Sequence, residues 1–233
     1  MSKTIGIVIC AYKGHIPHLK RLFASIEAQT KKPDHVVVSC SSTEPHEFIY
    51  SPESYSFLLT IYTHSEKKNA AQNRNYGARM ITTDIISFID ADDIMHPQRT
   101  ELIYHAFTTN DIYLLLHSAE LYPDKIPLSD QPQSVDFSSI SSPEFLFNKL
   151  YRCPWGSAQL NGDRRNEQII CGHSTISQHV FNTITFRETE EYYGKEDTVF
   201  ATDIIEQYPN HTCYCYHRLT CYFPSRTYGY EDK

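Results

Sequence analysis

The chain has 233 residues, a formal net charge of −7 and 40% apolar residues. This length suits one α/β domain with a single sizeable core. The acidic balance, with no basic run and no Lys/Arg stripe, argues against nucleic acid as the main partner.

The sequence predicts neither a secretory leader nor a membrane anchor. The start, MSKTIGIVICAYKGH, contains an apolar run too short for the core of a signal peptide. Apolar stretches stay well below the about 20 residues of a membrane span. The seven cysteines are odd in number and stand mostly in apolar, strand-like runs. We therefore expect reduced thiols and a cytoplasmic protein.

The first half of the chain alternates predicted strands with predicted helices. Apolar runs predict strands at residues 5–10, 35–40, 57–63, 84–89 and 112–118. Helical spacing of apolar residues after Pro17, and the patterns of residues 69–81 and 97–107, predict three helices. This alternation indicates an α/β fold in which a parallel-type sheet has helices on both faces. Ligands bind outside the carboxyl ends of the strands in such sheets.

The second half is less regular. Residues 119–142 are rich in Ser, Pro, Asp and Gln, and we interpret them as a surface loop. They are not a domain linker, because too little chain follows for an independent second domain. We expect a short helix at 143–150, an irregular stretch, a helix at about 196–208 and a last strand at 212–222. Residues 1–233 are thus predicted to form one domain.

The predicted strand at 84–89 runs into three carboxylates within four residues, Asp90, Asp92 and Asp93. Grouped carboxylates repel one another, and burying them unpaired is costly. A Mg²⁺ or Mn²⁺ ion would relieve this repulsion, take carboxylate oxygens and leave room for phosphate oxygens. Such an ion would also neutralise a diphosphate leaving group. The alternative is structural: Asp93 simply caps the helix that follows.

Two other stretches allow a functional and a structural interpretation. In QNRNYGA, Arg74 could face a diphosphate and Gly77 allows close packing of the helix, whereas the alternative is a helix with a surface arginine. In YGKEDTVF, a glycine turn precedes Glu196 and Asp197 at a predicted helix start. The helix dipole favours carboxylates there, so this pair is either a helix cap or the position of a general base.

In this order and spacing, the three stretches resemble a family 2 glycosyltransferase of the GT-A fold. The opening IGIVICAYKGHIPHLKRLFASIEAQT resembles the family's first strand and helix, with Ala11-Tyr12-Lys13 where a Thr-Tyr-Asn triplet is common. QNRNYGARMITTDIISFIDADD resembles the Ala-Arg-Asn-x-Gly stretch that leads to an Asp-x-Asp motif. GHSTISQHVFNTITFRETEEYYGKEDTVF resembles the acceptor-side segment that closes on a Glu-Asp pair. The resemblance covers roughly residues 4–205.

The resemblance implies a single GT-A domain with a mixed, mostly parallel central sheet flanked by helices. Residues 1–118 would bind the nucleotide sugar and residues 119–233 the acceptor. The implied reaction moves a sugar from a nucleotide-diphosphate sugar to a hydroxyl of a glycan or other small acceptor, with inversion. The implied cofactor is Mn²⁺ or Mg²⁺.

The resemblance also implies roles for individual residues. The metal would be held by Asp90 and Asp92, with His217 as a third ligand, since a late histidine often completes the site in this fold. Asp197, with Glu196 beside it, would deprotonate the acceptor hydroxyl. The nucleotide sugar would be bound by Ala11, Tyr12, Lys13, Ser41, Arg74, Asp90, Ala91 and Asp92. The acceptor would be bound by Trp155, Gly172 and His173.

The sequence departs from the family pattern after the second strand. The family usually carries an aspartate there that reads the uracil ring, and this chain has SCSST instead. Ser39 or Ser41 could substitute, and UDP stays the favoured nucleotide. Lys13, in place of the usual asparagine, could meet a phosphate.

Several residues allow more than one interpretation. Trp155 would stack on an acceptor sugar or anchor a loop. Cys213, Cys215 and His217 alternate onto one face, either as core or, with Cys221, as a zinc site of unusual spacing. Asp163 in NGDRR is a further candidate base, and the two arginines after it could touch a phosphate.

Two other functions compete with the transferase. A sugar nucleotidyltransferase shares the sheet and the metal chemistry, but it usually opens with a glycine-rich phosphate loop that CAYKGH lacks. A non-catalytic sugar- or nucleotide-binding protein of the same fold would not need the intact DADD and KED stretches.

Overall fold

A computed structural model of the chain describes residues 2–122, 130–161 and 169–223. Its centre is a nine-stranded mixed sheet. The strands of the described residues are β1 (Ile5–Tyr12), β2 (His35–Ser41), β3 (Leu59–His64), β4 (Ile85–Asp90), β5 (Ile94–Met95), β6 (Leu114–Leu121), β7 (Phe145–Phe147), β8 (Leu150–Arg152), β9 (Ala158–Leu160), β10 (Ile169–Ser177) and β11 (Thr212–Tyr222). The α-helices are α1 (Leu19–Glu27), α2 (Ala70–Met80), α3 (Arg99–Thr109), α4 (Gln178–Phe181) and α5 (Glu196–Gln207).

The sheet has the strand order β3-β2-β1-β4-β10-β6-β11-β5, with β7 paired to β11. Four pairings are parallel and span six to eight residues each, whereas the antiparallel pairings span two to four. The predicted mixed, mostly parallel sheet is therefore confirmed. Strand β10, from the second half of the chain, lies between β4 and β6, so both halves contribute to one sheet.

The predicted strands and helices of the first half form because their apolar residues are spaced for burial. In β1, residues Ile5–Ile9 are buried on both faces of the sheet. The apolar face of α1, predicted from its helical spacing, is fully buried against β1 and β2. Pro17 lies in a 3-10 turn that precedes α1. Helix α2 packs closely on β1, since a Cβ on Gly77 would lie 2.5 Å from Val8 Cγ1.

The predicted helix at 143–150 is wrong. The chain forms β7 and β8 there, separated by Asn148 in a left-handed conformation (φ 57°). The physical reason is a two-residue alternation: Phe145 and Phe147 face one apolar cluster while Leu146 faces another. A run this short fits either periodicity, and pairing of β7 with β11 decides for a strand.

The predicted loop at 119–142 begins as the end of β6, and residues 123–129 lie outside the described residues. Its later part is fixed to the start of α3, because the Gln98 amide bonds to the backbone of Ile140 and the His96 ring to the carbonyl of Ser138. Asp163 and the two arginines that follow it also lie outside the described residues. In the part of the chain that the structure describes, no helix is long and apolar enough to cross a membrane.

All seven cysteines are free in the structure. Cys213 and Cys215 face the core, where burial raises the pKa of each thiol, so they favour the core interpretation over a zinc site. Cys221 belongs to a small apolar cluster with Ile94 and Phe223.

Candidate active site

The candidate site lies where the predicted stretches converge, at the carboxyl end of β4. Asp90 is the last residue of β4 and stands beside Cys10 of β1, whose thiol donates to Asp90 Oδ1 at 3.5 Å. The start of α5, with Glu196 and Asp197, and Gly172 of β10 close the site from the other side. Residues separated by about half the chain thus meet at one sheet edge, as expected for ligand sites in α/β folds.

Arg74 of α2 connects two of these elements. Its Nη2 lies 2.7 Å from Asp90 Oδ1 and its Nη1 lies 2.9 Å from Glu196 Oε1. The side chain is buried, with 4% of the residue exposed, so the alternative of a surface arginine is wrong. The helix that carries Arg74 begins with a capping box, in which Asn69 and Gln72 satisfy each other's backbone N–H groups.

Gly172 leaves open the space between Asp90 and Asp197. A Cβ atom on Gly172 would lie 3.2 Å from Asp197 Oδ2 and 3.3 Å from Asp90 Oδ2. It would lie 3.6 Å from Arg74 Nη2. One point above this glycine is therefore within contact distance of a carboxylate from β4, a carboxylate from α5 and a guanidinium from α2.

The two carboxylates that border this space have opposite pKa shifts. Burial alone would raise the pKa of Asp90, but Arg74 and His173 outweigh burial and hold the pKa below its usual value. Burial raises the pKa of Asp197, with a smaller contribution from Glu196, and Arg74 offsets only part of this rise. Asp90 is thus the stable anion, and Asp197 is the carboxylate that more readily accepts a proton.

Asp92 and Asp93 are more deeply buried than Asp90. Burial, followed by the charge of Asp90, raises the pKa of Asp92 to about 6. Arg21 of α1 lies behind them and donates from Nη2 to the Asp92 carbonyl oxygen at 3.3 Å, while it also bonds the side chain of Gln131. The positive charge expected beside the acidic strand end is thus provided in part by the protein, through Arg74 and Arg21.

Three ligand atoms near this strand end could hold a metal ion. They belong to Asp90, Asp93 and His173, and all lie within 4.8 Å of one another. His173 Nε2 is 2.7 Å from Asp93 Oδ2 and 3.8 Å from Asp90 Oδ2. Neither His173 Nε2 nor Asp93 Oδ2 has a hydrogen bond among the described residues, although both are buried. Two carboxylates and an imidazole suit Mn²⁺ or another divalent ion, so the residues present fit the predicted cofactor.

The structure places His173 differently from the acceptor contact that the sequence predicted. The residue is 0% exposed, so its ring has no surface for an acceptor. Its Nδ1 forms a hydrogen bond with Thr220 Oγ1 at 2.9 Å, and its Nε2 faces the carboxylates. Arg99, fully buried, donates to the carbonyl oxygens of Phe88 and His173 and fixes the backbone there.

His217 lies apart from this group. Its Nε2 accepts the backbone N–H of Glu144 at 3.0 Å, which holds the residue before β7. Among the described residues, the metal-ligand grouping does not include His217. The histidine that joins the carboxylates is His173, which comes from β10 and not from the late strand β11.

A buried polar network connects β1, β2 and α2, among residues that the sequence predicted to bind the nucleotide. Asn73 Nδ2 donates to the Ala11 carbonyl oxygen and to Ser41 Oγ, each at 3.1 Å, and Ser39 Oγ donates to Asn73 Oδ1 at 3.0 Å. The Ser41 hydroxyl is only 1% exposed. The structure therefore gives Ser41 a partner within the protein, in place of a free hydroxyl that could read a base. Sequence reasoning missed Asn73, whose position between Gln72 and Arg74 was its only signal.

The remaining predicted donor residues lie near the acidic strand end or at its rim. Burial and the charge of Asp92 raise the pKa of Tyr12, whose ring contacts His15 edge-on. Lys13 is exposed and forms an ion pair with Glu47. Ala91 is fully buried in the turn after β4.

Trp155 is 73% exposed in the turn between β8 and β9. Gly156 follows it with φ 91°, a conformation that glycine adopts without strain. The loop-anchor alternative is not supported, because an anchor would be buried. Contact with an acceptor remains a prediction.

Comparisons with known proteins identify the family of the chain. The sequence profile of glycosyl transferase family 2 matches residues 6–189. An uncharacterized glycosyltransferase of Haemophilus influenzae is 27% identical over 156 residues, which are 64% of this chain and 51% of that protein. An uncharacterized glycosyltransferase of Nostoc is 22% identical over 144 residues, which are 60% of this chain and 42% of that protein.

The fold also matches crystal structures of S. aureus TarS at 14% sequence identity. TarS 1–349 in complex with UDP-GlcNAc gives a TM-score of 0.66, with 97% of this chain and 59% of that chain covered. The complex with UDP gives 0.65, with 94% and 60% covered. The likeness shows a shared GT-A glycosyltransferase fold.

The chain belongs to glycosyl transferase family 2. Both curated relatives are named as uncharacterized glycosyltransferases. The chain spans about half the length of the curated relatives it matches.

Proposed function

We propose that the chain transfers a sugar from a UDP-sugar to a hydroxyl group of a glycan or other small acceptor, with inversion at the anomeric carbon. The observation that carries this proposal is the convergence of Asp90 Oδ2 and Asp197 Oδ2 on one point above Gly172. An inverting transfer needs a base on the acceptor side of the reacting carbon and, on the donor side, carboxylates that would hold a cation against the leaving diphosphate. The TarS complexes with UDP and UDP-GlcNAc support the choice of UDP, through the shared fold.

Asp197 is proposed as the general base. The residue is partly exposed, so an acceptor hydroxyl can reach it. Its Oδ1 accepts the backbone N–H of Thr198 at 2.6 Å, which leaves Oδ2 directed at the space above Gly172. A base must lie about 2.6–3.2 Å from the hydroxyl it deprotonates, and its raised pKa makes it a better proton acceptor.

The donor diphosphate is proposed to lie at the acidic end of β4. Asp90 with Asp92, or Asp90 with Asp93 and His173, would hold the divalent ion. When bound, Mn²⁺ or Mg²⁺ would neutralise charge on the leaving diphosphate. The chain's own contribution is to present Asp90, about a quarter of whose side chain is exposed, from a rigid strand.

Both rival functions are less well supported. Membership of a glycosyltransferase family disfavours the nucleotidyltransferase. A non-catalytic binding protein has no need for a partly exposed carboxylate with a raised pKa opposite the donor site.

The test is Asp197→Asn, which keeps the shape of the side chain but removes its ability to take a proton. We expect the transfer rate to fall about 10²–10⁴-fold, the usual loss for a general base. Calorimetry should show Mn²⁺-dependent UDP binding close to that of the wild type, because Asp197 does not hold the diphosphate. Acceptors are identified by screening, as compounds that raise the release of UDP above the rate of donor hydrolysis without an acceptor.

Glu196→Gln is the control for Asp197→Asn. Its side chain still accepts a hydrogen bond from Arg74, so we expect a smaller loss of rate. Full transfer activity in Asp197→Asn would overturn the assignment, and the base would then be sought at Glu196 or Asp163.

A further inference from the structure

Arg74 binds two carboxylates of the site at once. Its two terminal nitrogens bind carboxylates from different elements, Asp90 at the end of β4 and Glu196 at the start of α5. These partners lie 16 and 122 residues away in the chain. The guanidinium therefore joins three separate elements at one point.

The third side of the guanidinium is closed by an aromatic ring. The Arg74 Cζ atom lies 5.5 Å from the ring centre of Phe186, and Nε has no hydrogen bond among the described residues. Phe186 stacks on Phe200 of α5, with ring centres 3.9 Å apart. Arg74 is thus linked through Phe186 to the helix that begins with Glu196.

Resting on the proposed function, we propose that Arg74 is a positioning residue that couples the donor and acceptor sides of the site. It holds the start of α5 against the end of β4, and so sets the distance between Asp90 and Asp197. The role predicted from the sequence, a phosphate contact, would need an accessible guanidinium, whereas this one is almost fully buried.

Charge explains why the site needs this link. Asp90, Glu196 and Asp197 are all carboxylates, and two of their oxygens approach the same point above Gly172. Like charges at this distance repel one another strongly in a buried site. Without Arg74, the start of α5 would be driven away from β4, and Asp197 would move with Glu196 because they are adjacent residues.

The coupling predicts a specific pattern in steady-state kinetics. Arg74→Met should lower kcat about 10²-fold, because a displacement of about 1 Å costs this much, while the donor KM stays within about threefold. Arg74→Lys should recover part of the loss, since one ammonium group reaches one carboxylate at a time. Arg79→Met is the matched control, because Arg79 lies exposed on the same helix and carries the same charge.

A double-mutant cycle separates positioning from phosphate binding. Glu196→Ala alone should lower kcat, and adding Arg74→Met should lower it little further, since the two changes break one link. If Arg74 instead bound the phosphate, Arg74→Met would raise the donor KM at least about tenfold. The effect of Arg74→Met would then add to that of Glu196→Ala. That second pattern would overturn the proposal.

The activity of the wild-type chain tells failure of the proposed function apart from failure of the role proposed for Arg74. A wild-type chain with neither transfer nor donor hydrolysis contradicts the proposed function itself.

If Arg74→Met does not fold, Glu196→Ala is compared with Glu196→Gln, which keeps an acceptor oxygen for Arg74. Positioning predicts that Glu196→Ala is at least about tenfold slower than Glu196→Gln, since only the alanine breaks the link. Equal rates in these two variants would overturn the role of Arg74.

Discussion

His173 Nε2 lies 2.7 Å from Asp93 Oδ2, and both side chains are sealed from solvent. Burial lowers the pKa of His173 to about 4, while burial and the neighbouring Asp92 and Asp90 raise the pKa of Asp93. Burial is the largest cause of both shifts, and it disfavours the charged form of each side chain. A bound cation would favour the deprotonated carboxylate of Asp93, because metal ligands must be deprotonated.

Asp93→Asn tests whether Asp93 is a metal ligand. The amide keeps the shape of the side chain and the oxygen that accepts the Phe223 N–H, so we expect the melting temperature to change by only a few degrees. The stabilisation by Mn²⁺ should fall, because a neutral amide binds a hard cation less well than a carboxylate. Thermal unfolding with and without Mn²⁺ measures both effects. An unchanged response to Mn²⁺ would assign the ion to Asp90 and Asp92.

Asp92 should make metal-free stability depend on pH. Its pKa is about 6 in the folded chain against an ordinary value of 3.8, so folding favours the protonated form. This contribution is fully present below pH 3.8 and is lost as the pH rises through 6. We expect stabilisation by Mn²⁺ to be small at pH 5 and larger at pH 7.5, in unfolding experiments across that range. Asp92→Asn should flatten the metal-free profile, and an equally steep profile in this variant would contradict the assignment.

Gly172→Ala should fill the space between the two reacting sides. The added methyl group would lie 3.2 and 3.3 Å from carboxylate oxygens of Asp197 and Asp90, so both must shift by a few tenths of an ångström. We expect at least about a tenfold loss in kcat, because small misplacements at the reacting centre are costly. Ser174→Ala is the control on the same strand: its buried hydroxyl has no hydrogen-bond partner among the described residues, so turnover should be unaffected. Wild-type turnover in Gly172→Ala would place the reaction elsewhere.

Gly77→Ala tests the packing of α2 on β1. In an exposed helix this change would stabilise by about 1 kcal/mol, but here the methyl group would lie 2.5 Å from Val8 Cγ1. Overpacking of this kind costs about 1–3 kcal/mol, so we expect net destabilisation in urea unfolding. Adding Val8→Ala removes the clashing atom and should recover part of the loss. A more stable Gly77→Ala single variant would show that the helix can move away from the sheet.

The choice of base is expected to be uracil and to be independent of the Ser41 hydroxyl. That hydroxyl is buried and bonded to Asn73, so it is not available to a nucleotide. We expect calorimetry to show tighter binding of UDP than of GDP, and Ser41→Ala to change the ratio by less than about threefold, which is under 1 kcal/mol. Equal or tighter binding of GDP by the wild type would overturn the preference for UDP.

Much of the fold could be predicted from the sequence because its signals are local. Apolar runs and helical spacing predicted β1 to β4 and α1 to α3, since burial of a strand or a helix face needs only neighbouring residues of the right type. The same reasoning failed at residues 143–150, where the run is short and pairing with β11 decided its conformation.

By itself, the sequence determined which residue types stand at the strand ends and helix starts: the acidic end of β4, Arg74 in α2, and Glu196 with Asp197 at the start of α5. Only the tertiary structure decided their partners. It gave Arg74 two carboxylates in place of a phosphate, and it gave Asp93 the imidazole of His173. The physical reason is that an ion pair depends on distance and burial in space, and these residues are distant in the chain.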